Sequence, residues 1–318
     1  MALINCSIIV RAFNEEKHLG QLFKGLNQQT FDDFEVILVD SGSTDKTREI
    51  ATREGWDFPV KILQIEPEKF SFGKSLNIGI NQASGNVVVI ASAHIYPVYP
   101  DWLEKLIQPF ENARIGLTYG KQRGGDTTHF SEHQIFSRWY PGQSKEQESN
   151  PFCNNANAAI RKNLWLNHHY DETLTGLEDL EWAQWVIEQD YFISYVAEAE
   201  IVHIHEDNPS GVYNRYRREA MAFKRIFPQE QFGFLDFMQL FFSNLVSDSR
   251  VAISERKFFS EIVNISWFRL MQFWGTYRGY QQSGPLTQEL RQTFYYPGRT
   301  SDHYKTEHRS IKPIQYED

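Results

Sequence analysis

The first 120 residues alternate between short apolar runs and longer stretches whose apolar residues recur at helical spacing. The short runs predict strands at 7–10, 35–39, 60–65, 86–92 and 115–119. The longer stretches predict helices at 15–29, 44–54, 74–83 and 102–110. In the first of these, Leu19, Leu22, Phe23 and Leu26 share one face. This alternation predicts an α/β fold with a mostly parallel sheet flanked by helices.

The pattern changes after residue 120. Residues 121–150 are polar and irregular, which favours a mobile loop. Further elements are predicted as a helix at 178–189, a short strand at 201–205, helices near 212–227, 233–247 and 255–282, and a polar tail wrapped on the body. We therefore predict a main domain over 1–228, with halves 1–120 and 121–228, and a helical extension with its tail over 229–318.

Composition narrows the function classes. The chain has 32 basic and 41 acidic residues and a net charge of −9, which argues against a nucleic-acid binder. Aromatic residues make up 15% of it, so either thick apolar packing or stacking on ring-shaped ligands is expected. Cys6 and Cys153 are too few for a disulfide framework or a thiolate zinc site. Neither a signal peptide nor an apolar run of ~18 residues is visible, which predicts a cytoplasmic protein, soluble or peripheral on the membrane.

The first strand–helix turn reads Arg11-Ala12-Phe13-Asn14-Glu15. It has no glycine, which excludes a dinucleotide-binding fingerprint, and no phosphate-binding P-loop motif occurs elsewhere. An acidic turn, 40–45, follows the second strand, at the sheet edge where α/β folds bind ligands. There Asp40 can accept a hydrogen bond from a base or a ribose hydroxyl, whereas Asp45 can simply cap the next helix.

An ordered set of segments now points to a family. The segments are Ser7–Glu16, Val39–Asp45, Phe72–Gly79, Ala156–Arg161, Gly176–Trp182 and His203–His205. Over about residues 5–225 they resemble family 2 glycosyltransferases of the GT-A fold, most of all the bacterial rhamnosyltransferase-like branch. The resemblance implies transfer of a sugar, with inversion, from a nucleotide-sugar donor to a glycan or lipid-linked acceptor in surface polysaccharide synthesis.

The resemblance also implies a donor site. It places Ala12, Asn14, Glu15, Asp40 and Ser41 around the nucleoside, with Asp40 on the base. Lys74 and Asn77 would flank the base or ribose, and Ser92, Ala93 and His94 would lie near the diphosphate. For Asn77, simple packing of its helix is an equal alternative.

A divalent cation is expected because a leaving diphosphate needs its charge neutralised. Where the family usually has Asp-x-Asp, this chain has Ser92-Ala93-His94. His94 together with His203 or His205 would suit Mn²⁺ better than Mg²⁺. Because His203 and His205 are two residues apart on a predicted strand, only one of them is expected to reach the site. A structural or phosphate-binding role is the alternative for each histidine.

On the acceptor side, the resemblance makes Asp179 the general base and gives Glu178 an acceptor contact. Both residues would also suit the first turn of a helix without any chemistry. Trp182, one turn later, is predicted either to stack on the acceptor sugar or to pack in the core. Asn155 and Asn157 are candidates for acceptor contact, or for structural roles in a turn.

Three further features leave alternatives open. Arg215, Arg217 and Arg218 could bind diphosphate, although a solvated helix face is favoured. The aromatic helices after residue 232 predict a hairpin packed on the body or on a second subunit, or else a membrane-docking surface with basic residues Arg250, Arg256, Lys257, Arg269 and Arg278. The missing Asp-x-Asp leaves a non-catalytic sugar-nucleotide-binding or scaffold subunit as the rival function.

Overall fold

The computed structural model describes residues 5–281 and 311–316, and within them the strands form one sheet. The strands are β1 Cys6–Ala12, β2 Phe34–Asp40, β3 Val60–Gln64, β4 Val87–Ser92, β5 Ile95–Pro97, β6 Ile115–Arg123, β7 Lys145–Glu148, β8 Asn157–Arg161 and β9 Phe192–His203. Their order is β3-β2-β1-β4-β8-β6-β9-β5, with β7 beside β9. Strands β3, β2, β1 and β4 are parallel, and β8 runs antiparallel to both neighbours. The predicted α/β class is confirmed.

Helices cover both faces of this sheet. They are α1 Leu19–Leu26, α2 Thr47–Thr52, α3 Phe72–Asn81, α4 Trp102–Ile107, α5 Phe130–Trp139, α6 Lys162–Trp165, α7 Glu178–Glu188, α8 Pro209–Ile226, α9 Phe234–Ser254 and α10 Phe258–Tyr280. Successive residues of β1 face opposite layers, as a strand requires. Ile8 is buried in the layer that contains Leu22 of α1, whereas Ile9 is buried in the layer that contains Leu76 of α3.

The region predicted as a mobile loop, 121–150, is structured, so that prediction is wrong. It contains the end of β6, helix α5 and strand β7. The side chains of Ile135 and Phe136 are buried, and so is that of Glu132. A glutamate normally indicates a solvent-facing position, and here its burial hides the amphipathic pattern of the helix.

The C-terminal helices pack on the body as a hairpin. Helix α10 lies against α8 so closely that a Cβ at Gly275 would collide with the carbonyl oxygen of Tyr213. Arg269 is one of the basic residues of the membrane-docking alternative, but it is buried, with 1% of its side chain exposed. That alternative is wrong for Arg269 because its guanidinium group pairs with the buried Asp248 inside the hairpin.

Most of the predicted tail, 282–310, lies outside the described residues. Its described end contacts β5 and the residue that follows it: the Ile314 amide donates to the Val98 carbonyl oxygen, and the Tyr316 hydroxyl donates to that of Pro97. Wrapping on the body is therefore confirmed for residues 311–316. Among the described residues, no helix has the length and apolarity needed to cross a bilayer.

Candidate functional site

A cleft of about 540 Å³ opens at the carboxyl ends of β1 and β4. Helices α5 and α8 and the start of α7 form its other walls. A larger hollow, about 1080 Å³, lies at the opposite sheet edge, beside Arg161. The Arg161 guanidinium donates to the carbonyl oxygens of Phe110, Asn112 and Ile115, which makes its role structural. The titratable side chains that could take part in catalysis, Asp179 and three histidines among them, line the smaller cleft.

Three histidines meet at the floor of this cleft. His94, His203 and His205 each offer a ligand nitrogen, and these atoms all lie within 4.8 Å of one another. The prediction that only one of His203 and His205 could reach the site is wrong. Strand β9 ends at His203, so the strict alternation of a strand does not extend to His205.

Each imidazole is oriented by an oxygen on its Nδ1 side. His94 Nδ1 lies 2.8 Å from Glu15 Oε1, and His203 Nδ1 lies 2.8 Å from Gln122 Oε1. His205 Nδ1 lies 2.8 Å from Glu132 Oε1. For His203 this acceptor favours a proton on Nδ1 and leaves the Nε2 lone pair for a ligand, as is common around metal-binding histidines. His94 Nε2 also lies 3.0 Å from Ser92 Oγ, and His205 Nδ1 also lies 2.7 Å from Arg215 Nη1.

The cluster fits a divalent transition metal. The Nε2 atom of His203 is buried and has no partner among the described residues. Burial, with a smaller effect of positive charge on His205, holds the pKa of His203 well below its usual value. Burial also lowers the pKa of His205. Neutral imidazoles with an unused buried nitrogen are what metal coordination requires.

A buried ion pair between Glu132 and Arg215 contacts His205. The sequence did not predict this ion pair. Glu132 Oε1 lies 2.8 Å from Arg215 Nη2 as well as from His205. Burial opposes ionisation of Glu132, but Arg215 and then His205 outweigh it and lower its pKa to about 2. For Arg215 the favoured prediction is a solvated helix face. That prediction is wrong, because the Arg215 side chain is largely enclosed.

The two predicted donor segments, 11–15 and 40–45, lie side by side. The Ser41 amide donates to the Ala12 carbonyl oxygen at 3.0 Å. Asn14 adopts a left-handed backbone with φ of 56°, and its Oδ1 accepts from the Thr44 amide at 2.9 Å. The Asp40 carboxylate accepts from the Ser43 amide and is almost fully enclosed. The nucleoside contacts of these residues stay predictions.

Asn77 does not belong to the donor site. Its Oδ1 accepts from Trp165 Nε1 at 3.0 Å, and its Nδ2 donates to the Tyr170 carbonyl oxygen at 2.9 Å. The prediction of a donor contact is wrong because this buried amide fastens α3 to the segment after α6. Lys74 lies near Glu172, with 3.8 Å between its Nζ and a carboxylate oxygen, and its role stays a prediction. Ala93 is fully buried beside Ser92.

Two predicted acceptor residues are also buried in the core. Asn157 accepts from Trp102 Nε1 at 3.0 Å and donates to the Ala199 carbonyl oxygen at 2.8 Å, which ties β8 to β9. Trp182 has no exposed surface, and its Nε1 donates to the His168 carbonyl oxygen at 2.7 Å. Stacking of Trp182 on an acceptor is therefore wrong. Trp182 lies about one helical turn after Asp179, on a face of α7 that packs in the hydrophobic core.

Asp179 lies at the first turn of α7, on the wall of the cleft. Its carboxylate oxygens accept from the amides of Asn155, at 3.0 Å, and Leu180, at 2.9 Å. Burial, reinforced by the negative charge of Glu178, raises the pKa of Asp179 to about 7 despite these hydrogen bonds. An aspartate with this pKa exchanges a proton near neutrality, which is what a general base needs.

Glu178 and Asn155 support this arrangement. Glu178 Oε1 accepts from Arg11 Nη1 at 3.0 Å and from Asn155 Nδ2 at 3.3 Å. Asn155 is 3% exposed and donates to both carboxylates, so it positions them instead of presenting its amide to an acceptor. Arg11 was not singled out as a site residue, although it is the first residue of the 11–15 segment.

Comparison with known proteins now decides the family. The family model described as Glycosyl transferase family 2 matches residues 7–166, half of the chain. The chain belongs to glycosyl transferase family 2. The expected GT-A fold is confirmed by its structural neighbours.

Two curated relatives illustrate the range of similarity. Over 96 residues the chain is 32% identical to the poly(ribitol-phosphate) beta-N-acetylglucosaminyltransferase TarS of Staphylococcus aureus, covering 30% of this chain and 17% of that relative. Over 224 residues it is 25% identical to the O-antigen chain rhamnosyltransferase WbaN of Salmonella anatum, covering 66% of this chain and 69% of WbaN. The chain thus spans less than a fifth of TarS.

Solved structures share the fold at lower identity. The mannosyltransferase PcManGT of Pyrobaculum calidifontis, in complex with GDP-Man and Mn²⁺, superposes with a TM-score of 0.59 at 17% identity and covers 87% of this chain and 84% of its own. TarS residues 1–349 of S. aureus, in complex with UDP-GlcNAc, give a TM-score of 0.53 at 20% identity and cover 69% of this chain and 66% of theirs.

Proposed function

We propose that this protein is an inverting glycosyltransferase. It moves a sugar from a nucleoside diphosphate donor to a hydroxyl of a glycan or lipid-linked acceptor in bacterial surface polysaccharide synthesis. The observation that carries the proposal is Asp179, a carboxyl with a pKa of about 7 in the cleft that also holds the three histidines. The names of WbaN and TarS support a polymer acceptor of this kind.

In the proposed reaction the acceptor hydroxyl attacks the anomeric carbon as Asp179 takes its proton. The new C–O bond forms on the face opposite the diphosphate, whose own bond to that carbon breaks with its electron pair. Asn155 and Leu180 hold the carboxylate in place through their amides. Burial, and then the negative charge of Glu178, raises the pKa of Asp179, so the base stays largely neutral until the pH approaches 7.

The three histidines are the proposed holders of a divalent cation, with Mn²⁺ favoured by imidazole ligands. A cation there would supply Lewis-acid neutralisation of the leaving diphosphate. Glu15, Gln122 and Glu132 orient the rings through Nδ1. Because these histidines supply ligands where Asp-x-Asp is missing, they weaken the reason for the rival, a non-catalytic sugar-nucleotide-binding or scaffold subunit.

The C-terminal hairpin of α9 and α10 is the basis for proposing where in the cell the protein acts. Its outer face exposes Leu235, Phe242, Ile253, Phe259 and Val263. Such a face suits contact with a second copy or with the cytoplasmic surface of a membrane that carries a lipid-linked acceptor. The two arrangements are distinguished by sedimentation of the pure protein with and without anionic vesicles.

The decisive experiment for the proposed function is Asp179→Asn. Thermal-shift screening of UDP-, GDP-, CMP- and dTDP-sugars first identifies the donor, because a ligand of the folded state raises the unfolding temperature. In the variant, turnover of that donor is expected to fall roughly 10²–10⁴-fold, the range for loss of a general base, while nucleotide binding persists. Unchanged turnover would contradict the assignment of the base.

A further inference from the structure

One carboxylate in the cleft has no part in the proposed reaction. Glu219 lies on α8, one helical turn after Arg215, and lines the same cleft as Asp179. Its side chain is half-buried, and no hydrogen bond to its carboxylate is found among the described residues. Its oxygens are not among the fully buried, unpartnered polar atoms of the described residues, so the carboxylate can be reached from the cleft.

Burial and the nearby arginines have opposite effects on the ionisation of Glu219. Burial raises its pKa, and the nearby positive charges of Arg215 and Arg218 only oppose that effect. Arg215 is already paired with Glu132, and the Arg218 guanidinium lies 4.7 Å from the centre of the Phe72 ring. The Glu219 carboxylate therefore presents unused acceptor capacity to the cleft.

The surroundings of Glu219 suit a sugar. Glu219, Asp179 and the buried Tyr140 all line this cleft. Trp139, the neighbour of Tyr140, is half-buried and also lines the cleft. Aromatic rings pack on the apolar face of a sugar, and carboxylates accept strong hydrogen bonds from its hydroxyl groups.

We propose that Glu219 binds hydroxyl groups of the acceptor sugar, next to the hydroxyl that Asp179 deprotonates. This inference rests on the proposed function and names one residue that selects the acceptor. The part of the acceptor that Glu219 contacts is an uncharged, hydroxyl-bearing sugar, because a carboxylate at this position repels a phosphate group. Glu219 is a specificity-determining residue, and Asp179 alone takes the proton.

Direct binding provides the first test. Saturation-transfer NMR is recorded for D-glucose, D-galactose, D-mannose and L-rhamnose on the full chain, with glycerol 3-phosphate as the charged comparison. We expect at least one sugar to bind, and its affinity to fall roughly 10–100-fold in Glu219→Gln and Glu219→Ala, the range for a lost charged hydrogen bond. Glu54→Gln, at an exposed position outside the cleft, is the matched control and is expected to bind as the wild type does.

Kinetics provide the second test. With the donor from the thermal-shift screen, Glu219→Gln is expected to raise KM for the acceptor sugar and to leave donor KM and acceptor-free donor hydrolysis within twofold. Three results would overturn the proposal: no sugar binds the wild type, Glu219→Gln binds sugars normally, or donor KM rises as much as acceptor KM. If Asp179→Asn stays active while Glu219→Gln loses sugar binding, the proposed base fails and the acceptor subsite stands.

Discussion

Two buried clusters of arginine and carboxylate side chains meet helix α5 at neighbouring residues, one at the Ser131 carbonyl oxygen and the other at Glu132. In the hairpin, Arg269 donates to Asp248 through Nε at 2.7 Å and through Nη2 at 3.0 Å. It also donates to Gln272 and to the carbonyl oxygen of Ser131. In the cleft, Glu132 pairs with Arg215 at ion-pair distance and with His205. Arg138 also lies 3.8 Å from Asp248, and Asp207 also lies 3.3 Å from Arg215.

The clusters differ in how completely their polar atoms are used. Both oxygens of Asp248 and all three nitrogens of Arg269 have partners. Among the residues that the structure describes, Glu132 Oε2 is buried without a partner, and Arg215 Nε and Nη2 lack hydrogen-bond geometry despite their short distances to carboxylates. Arg215 Nη1 lies 2.7 Å from His205 Nδ1. A completed network stabilises a fold, whereas an incomplete one next to a cleft is typical of a site that a ligand completes.

The largest effect on folding is expected at Arg269. Replacing it with Met leaves Asp248 buried without its main partner, which costs about 3–5 kcal/mol of the free energy of unfolding. Arg278→Met, an exposed arginine on the same helix, is the control and is expected to cost less than about 1 kcal/mol. Urea unfolding measures both. Equal losses in the two variants would mean that the buried Arg269–Asp248 pair stabilises the fold no more than the exposed Arg278 does.

The next effect concerns the cleft. His203→Gln is expected to weaken Mn²⁺ binding at least about tenfold, because it removes a ligand, and changes around metal ligands typically cost 10–100-fold. Electron paramagnetic resonance of free Mn²⁺ measures the affinity without turnover. His168→Gln is the control, since His168 pairs with Glu181 outside this cleft. Equal Mn²⁺ affinity in wild type and His203→Gln would contradict the metal site.

The third effect concerns how the ionisation of Asp179 changes the stability of the fold. The folded pKa of Asp179, about 7, lies above the value near 4 of an unfolded aspartate. The folded state therefore holds the proton more tightly, and stability falls as pH rises from about 4 through 7. Asp179→Asn removes this penalty. It is expected to raise the free energy of unfolding at pH 8 and to leave it unchanged near pH 4, as measured by thermal unfolding.

The sequence predicted the parts of the molecule that depend on local periodicity. Strand β1 and helix α1 follow from apolar spacing alone, and Asp179 was found by resemblance to a family. Helix α5 was missed because Glu132 looks solvent-exposed until its partner Arg215, 83 positions later, is placed beside it. Long-range pairing of this kind leaves no local signal.

The same limit explains the errors at the site. Asn77 and Trp182 are polar or amphipathic residues near functional motifs, and only the packed structure shows that their hydrogen bonds are internal. His205 was separated from His203 by a rule that holds within a strand, and the strand ends between them. Glu219 was not noticed, since an isolated glutamate on a helix normally faces solvent.

If Asp179 is the general base, its ionisation controls the pH dependence of kcat/KM. Because the base must be unprotonated, the rate with the identified donor is expected to rise with pH and to reach half of its maximum near pH 7. Asp179→Asn should remove this limb of the profile along with most of the activity. A rate that is constant from pH 5 to pH 9 in the wild type, or an unchanged limb in the variant, would contradict the account.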